Sequence, residues 1–166
     1  MLGMASVRPS VLWKTMPVEK RVLAAEAFWQ DEHGLEQQVE AVVAIARKLK
    51  FRPKSVQQQP LERRAKQLAH MADVSETIAT RALIAYHLTS ERPMMGAFLD
   101  ALGIAHENGL ITSEEVPTPS PEKIAAGAAA LTGKFPPDAV ALYLNTLLTQ
   151  DPDTWGALDG LPQLNP

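Results

Sequence analysis

One short stretch of the chain brings together residue types that acid–base chemistry uses. Asp100 precedes a segment in which His106 is followed directly by Glu107. A carboxylate can orient an imidazole, and an imidazole exchanges a proton near neutral pH. These three residues are a candidate functional loop, and an enzyme with an acid–histidine site is one hypothesis for this protein. No neighbouring residue identifies a nucleophile or a substrate, so catalysis is the least favoured hypothesis.

The sequence predicts neither a metal site nor a cofactor. The chain has four histidines, and none of them lies in a His-Glu-x-x-His, Glu-x-x-His or His-x-His pattern. Those spacings place two ligands on one metal ion. The chain also has no cysteine, which removes thiolate ligands, disulfides and cysteine nucleophiles together. Glycine-rich phosphate loops and the Gly-x-Ser-x-Gly pattern are missing as well.

A second group of residues has the charge needed to bind phosphate. Residues 47–66 contain eight basic side chains and a single acid, whereas residues 90–166 contain three basic and ten acidic residues. Basic side chains that neutralise phosphates release counterions and so favour nucleic-acid binding. With Phe51 as the one aromatic residue there, the segment has no stacking platform for single strands. The candidate nucleic-acid contacts are Arg52, Lys54, Arg63, Arg64 and Lys66. A solvated charged face is the alternative interpretation, and we favour it.

The segment that follows resembles a helix-hairpin-helix motif. Its apolar and small positions are occupied in register by Leu68, Met71, Val74, Ala79, Ala82 and Leu83. The resemblance implies a hairpin whose backbone amides bind nucleic-acid phosphates without sequence preference. The two glycine positions of that hairpin are Asp73 and Ser75 here, and Asp73 would place a negative charge beside a phosphate. An ordinary pair of helices with a good cap at Asp73 and Glu76 is the favoured interpretation.

Hydrophobic periodicity predicts an all-α fold, a compact orthogonal or irregular bundle of about seven helices. The predicted helices cover residues 16–31, 35–50, 60–72, 74–89, 93–102, 121–132 and 137–149. Residues 74–89 are apolar on nearly every side, so this helix is expected at the centre of the core. No alternating pattern predicts a sheet of three or more strands. A 45-residue echo between residues 97–102 and 142–147 would relate two C-terminal helical hairpins, but chance similarity is the favoured explanation.

The chain is expected to form one domain overall. We divide it into a five-helix region (residues 1–111), a proline-rich linker or surface loop (residues 112–121), a helical hairpin (residues 122–150) and an irregular tail (residues 151–166). No apolar run is long enough to cross a bilayer, and the first residues lack the pattern of a secretion signal. A cytoplasmic protein without a membrane partner is therefore expected.

Three functions remain open from the sequence. The favoured one is a non-catalytic interaction or regulatory protein whose protein partner the sequence does not identify. The alternative is a module that binds nucleic-acid backbones through residues 47–66 and the hairpin between the third and fourth predicted helices. The third is the enzyme with a site at residues 100–107.

Overall fold

The computed structural model describes residues 7–166, and in that part of the chain the regular structure is almost entirely α-helical. Ten α-helices follow one another: α1 Pro9–Thr15, α2 Val18–Gln30, α3 Leu35–Leu49, α4 Pro53–Gln57, α5 Leu61–Ala69, α6 Glu76–Ser90, α7 Arg92–Leu102, α8 Pro121–Leu131, α9 Pro137–Gln150 and α10 Pro152–Trp155. Two short 3-10 helices follow, Gly156–Leu158 and Pro162–Leu164. The strands β1 His106–Glu107 and β2 Leu110–Ile111 form one antiparallel hairpin. The all-α prediction is confirmed.

All seven predicted helices are present, and three further helices were missed. The missed helices α1, α4 and α10 contain seven, five and four residues. A segment this short does not repeat its apolar residues often enough to show a helical period. Each of the three has proline in its first turn, where a missing amide hydrogen costs nothing. No helix in the described residues has the length and apolar composition that a membrane span requires.

The chain folds as two compact units, and Arg8–Thr89 form the first. Its core includes the fully buried side chains of Trp13, Phe28, Ile45, Leu68 and Ile78. The indole nitrogen of Trp13 donates a hydrogen bond of 2.8 Å to the carbonyl oxygen of Met71, so the one polar side-chain atom of this buried residue is paired. The predicted burial of α6 is confirmed, because Ile78, Ala82 and Ala85 are at most 5% exposed.

The buried face of α3 differs from the predicted one. The sequence period selected Leu35, Val39, Val42, Ala46 and Leu49. Of these, Val42 and Ala46 are buried together with Ala41 and Ile45, while the other three are exposed. Apolar residues lie on more than one side of this helix, so periodicity alone does not identify the side that meets the core.

The second unit contains residues 90–166. Its main helix pair is α7 and α8, and their core continues into α9 and the segment Trp155–Leu158. Phe98 of α7 contacts two aromatic rings, Tyr143 at 5.8 Å and Trp155 at 5.6 Å between ring centroids. The fifth predicted helix and the predicted linker both lie within this unit. The proposed relation between two C-terminal hairpins stays a prediction.

The proline-rich segment 112–121 has no regular structure before α8 begins, and it is mostly exposed. A space of about 490 Å³ lies between this segment and the end of α7. The segment is therefore exposed, and no helix or sheet hydrogen bonds stabilise its backbone. We expect limited proteolysis to cut first within residues 112–120, because proteases need an exposed and locally deformable backbone. Mass spectrometry of the early fragments checks this, and a first cut within residues 35–89 would contradict it.

Candidate nucleic-acid and peptide interface

The first unit contains a groove between the end of α3 and the outer side of α5. Its volume is about 330 Å³, at the lower end of the ~300–1,000 Å³ range of ligand pockets. The groove is lined by Ile45, Lys48, Leu49, Arg63, Lys66, Gln67, His70 and Met71. Ile45 and Met71 are buried in its floor, while Leu49 is 41% exposed. An apolar floor open to solvent is typical of a surface that another molecule covers.

The rim of the groove is positively charged. Lys48, Arg63 and Lys66 line it, and no acidic residue does. Lys66 makes an ion pair of 3.2 Å with Glu62 one turn earlier in α5, and both side chains are well exposed. A solvent-exposed pair of this kind contributes little to stability. The charge of the rim is therefore available to an incoming anion.

Two polar side chains lie between the floor and the rim. A ring nitrogen of His70, Nδ1, lies 2.7 Å from the carbonyl oxygen of Lys66, which orients the imidazole against the end of α5. The amide oxygen of Gln67 is buried and has no hydrogen-bond partner among the described residues. A buried acceptor without a partner costs free energy, so a ligand that draws this amide outward would gain a hydrogen bond.

The five predicted nucleic-acid residues separate into three places. Arg63 and Lys66 lie on the groove rim. Arg52 and Lys54 are exposed at the start of α4 and do not line the groove. Arg64 turns inward, where its guanidinium lies 5.0 Å from the ring centre of Trp29 in a cation–π contact. The structure thus brings two of the five residues together around the groove.

The hairpin that resembles a helix-hairpin-helix motif is already occupied by an acidic side chain. Glu40 of α3 accepts hydrogen bonds from the hydroxyls of Ser75 and Thr77, the latter at 2.6 Å. Ser75 also caps α6, because its hydroxyl accepts the amide hydrogen of Ile78 at 3.2 Å. Anions bind at helix N-terminal amides, and here the carboxylate of Glu40 lies next to those amides.

The N-terminal cap of α6 was predicted at Asp73 and Glu76, but other residues form it. Ser75 takes the capping role, and Asp73 makes an exposed ion pair of 3.3 Å with Lys14. Glu76 instead accepts hydrogen bonds from the amide and the hydroxyl of Ser10, each at 2.8 Å. Desolvation alone would raise the pKa of Glu76, but the Ser10 hydrogen bonds and the nearby Arg8 outweigh it and hold the pKa below its ordinary value. Glu76 therefore binds Ser10 of α1, which is distant in the sequence, and not a residue of its own helix turn.

Asp100 and His106 of the candidate functional loop are in contact, and both imidazole nitrogens are engaged. His106 Nε2 lies 2.6 Å from a carboxylate oxygen of Asp100, and Nδ1 accepts the amide hydrogen of Gly109 at 3.0 Å. The neutral ring thus donates from Nε2 to Asp100. A general base needs a free nitrogen within reach of a substrate proton. This histidine instead fastens the β-hairpin to α7, and Glu107 points to solvent from β1.

Close packing around this hairpin supports the structural role of His106. A side-chain carbon on Gly109 would approach Met95 Cβ to 2.9 Å, and one on Gly96 would approach the His106 ring to 3.2 Å. Gly109 also has φ of +87°, a conformation that side-chain-bearing residues rarely adopt. The hairpin therefore packs closely against α7 on the side of the imidazole that faces Gly96.

The residues that sequence reasoning missed are those of the groove floor and its polar lining, Ile45, Leu49, Gln67, His70 and Met71. A partial signal was present, because basic residues at the end of α3 are interleaved with apolar ones. Within residues 7–166 no cluster of three potential metal ligands occurs. No protein-family model, no curated protein and no solved structure matches this chain.

Proposed function

We propose that this protein is a non-catalytic interaction module and that the groove between α3 and α5 binds an acidic segment of a partner protein carrying apolar side chains. The observation that carries the proposal is the combination of an apolar floor with a rim of three cations and no acid. Such a lining matches a peptide in which hydrophobic residues alternate with Asp or Glu. Apolar contacts supply affinity, and the charged rim supplies orientation and association rate.

The shape of the site supports a short segment rather than a large flat interface. Two helices form the groove walls, and amphipathic peptides bind in such grooves by inserting a few anchor side chains. The volume of about 330 Å³ suits such anchors but no larger ligand. Gln67 also lines the groove, and its amide is a hydrogen-bonding group for the backbone of a bound peptide.

Two observations favour a peptide over a nucleic-acid backbone. The groove floor is apolar, whereas phosphate contacts come from basic side chains and backbone amides on a polar surface. In addition, the hairpin that would supply such amides lies beside the carboxylates of Glu40 and Asp73. Nucleic-acid binding through residues 47–66 is the alternative, and an experiment must distinguish it from peptide binding.

The experiment is a selection from a library of short random peptides against the intact chain. We expect the selected peptides to combine Asp or Glu with Leu, Phe or Met. The paired variant Arg63→Glu and Lys66→Glu should weaken their binding tenfold or more, because each rim charge becomes repulsive and ~1.4 kcal/mol corresponds to a factor of ten. Fluorescence anisotropy with labelled peptides measures the affinities.

The matched control is the pair Arg52→Glu and Lys54→Glu. It makes the same change of charge in the same basic segment but outside the groove lining, so peptide binding should fall far less. Equal losses of peptide affinity for both pairs of substitutions would mean that the peptide responds to the overall positive charge and does not bind in the groove. The same titration with a short DNA duplex tests the alternative function, nucleic-acid binding. Tight duplex binding that weakens steeply with salt, together with no peptide enrichment, would overturn the proposal in favour of nucleic acid.

A further inference from the structure

One side of α3 carries an exposed apolar stripe that borders its buried residues. Leu35, Val39 and Val43 follow one another at four-residue spacing and are 65%, 57% and 39% exposed. Side chains four residues apart lie above one another on a helix. Of the ten large hydrophobic residues exposed in the described chain, five fall between residues 35 and 51. Exposure concentrated in this way indicates an interaction surface, since isolated exposed residues are ordinary.

The two ends of the stripe carry opposite charges. Glu36 lies in the first turn of α3, with Glu32 exposed just before it. Arg47 lies in the last turn and Lys50 follows it. None of these four residues forms an ion pair with another described residue. One helix of ~22 Å thus presents an apolar centre, an acidic end and a basic end.

We propose that a second copy of the chain covers this stripe, with the two α3 helices packed antiparallel. A two-fold axis makes one surface patch meet itself, so that patch must be self-complementary. In the antiparallel arrangement, Val39 of one copy packs against Val43 of the other. The acidic end around Glu36 then faces the basic end around Arg47 of the second copy. A parallel arrangement would instead bring like charges together and would align the two helix dipoles unfavourably.

The dimer face and the peptide groove lie on different sides of α3. Lys48, on the groove rim, is rotated by ~140° from Val43 around the helix axis. The inference therefore does not rest on the proposed peptide binding, and each can fail separately. A dimer formed in this way would present two grooves, so that a partner with two acidic segments would bind with the gain of a bivalent contact.

Sedimentation velocity over the micromolar to millimolar range tests the proposal. Three apolar side chains make a small interface, so we expect a monomer–dimer equilibrium within this range. The variant Val39→Asp with Val43→Asp should remain monomeric throughout, because it places charges of one sign at the crossing. Both residues are exposed, so the fold should persist, which far-UV circular dichroism checks. Val18→Asp is the matched control, as Val18 is 39% exposed outside the stripe and its replacement should leave the dimer intact.

A charge swap tests the antiparallel arrangement. Glu36→Lys alone should weaken the dimer several-fold, since the new cation faces Arg47 of the second copy. Adding Arg47→Glu to the same chain should restore most of the lost affinity, because the new pair has opposite signs. Failure of the second change to restore the dimer would overturn the antiparallel arrangement. A wild-type chain that stays monomeric at every concentration would overturn the proposal itself, even if the stripe bound lipid vesicles or another protein.

Discussion

Replacing Phe98 by Ala should lower the free energy of unfolding of the second unit by ~3–5 kcal/mol, the usual range for removing a buried phenylalanine ring. Phe98 is fully buried and contacts the rings of Tyr143 and Trp155. A side-chain carbon on Gly127 would approach the Phe98 ring to 3.1 Å, so α8 packs directly against it. Deleting the ring would leave a cavity that three elements border. None of them can move into it without losing its other contacts.

Hydrogen exchange of the slowest amides in α8 and α9 measures this loss within the second unit. Phe51→Ala is the comparison in the first unit, measured on the slowest amides of α3 and α5, because it removes the same ring from a site that is 45% exposed. We expect Phe51→Ala to change stability by less than ~1 kcal/mol. A loss below ~1 kcal/mol for Phe98→Ala would show that the ring does not hold this core together.

Lowering the pH from neutral to about pH 4 should destabilise the first unit by ~3 kcal/mol through a single histidine, His87, since each pKa unit corresponds to ~1.36 kcal/mol. Burial of His87 in α6 lowers its pKa to about 4, and the cation of Lys20 adds to this effect. The ring hydrogen bond from Nδ1 to the carbonyl oxygen of Leu83, at 2.8 Å, opposes the shift without cancelling it.

The direction of the pH effect follows from the folded pKa lying below the unfolded value of 6.5. Above pH 6.5 the histidine is neutral in both states, and its full contribution to stability is present. Between pH 6.5 and about 4 the unfolded chain binds a proton that the folded chain does not, so stability falls as the pH falls. Below about pH 4 both states are protonated, and this contribution changes no further.

Chemical denaturation at a series of pH values measures the effect in the wild type and in His87→Gln. The variant has its own baseline stability, so the comparison is between slopes. The stability of the variant should depend less steeply on pH between 6.5 and 4, and carboxylates with lowered pKa such as Glu76 supply the slope that remains. His33→Gln is the control, because it makes the same substitution at an exposed position. An unchanged slope in His87→Gln would show that His87 does not titrate as its burial requires.

The helices could be predicted from the sequence because long helices repeat their apolar residues every three to four positions. The seven predicted helices, the Ser120 cap of α8 and the left-handed Gly103 after α7 all follow from local chemistry. The buried face of α3 could not be predicted, since Leu35, Val39 and Val43 are as apolar as the residues that face the core. Which face is buried depends on where the neighbouring helices dock, and that information is not local.

The candidate site likewise has features that the sequence predicts and features that depend on how distant elements pack. Asp100 and His106 are near each other in the sequence and in contact in the structure, but the turn at Asn108 and Gly109 places an amide on the second nitrogen of the imidazole. Because of that contact, Asp100 and His106 hold β1 against α7. Similarly, the basic segment was evident from composition. The contact of Arg64 with Trp29 and the position of Arg63 on the groove rim could not be predicted, because both depend on how α5 docks. The geometry of the candidate site therefore depends on contacts between residues that are distant in the sequence.

The most direct test of the proposed peptide site is amide chemical-shift mapping of the intact protein with a selected acidic peptide. We expect shifts concentrated at the groove residues Ile45, Leu49, Gln67, His70 and Met71. We also expect these shifts to disappear in the paired variant Arg63→Glu and Lys66→Glu. Shifts concentrated instead at the hairpin of residues 70–77 or at the loop of residues 100–107, with the groove unaffected, would contradict the proposed peptide site.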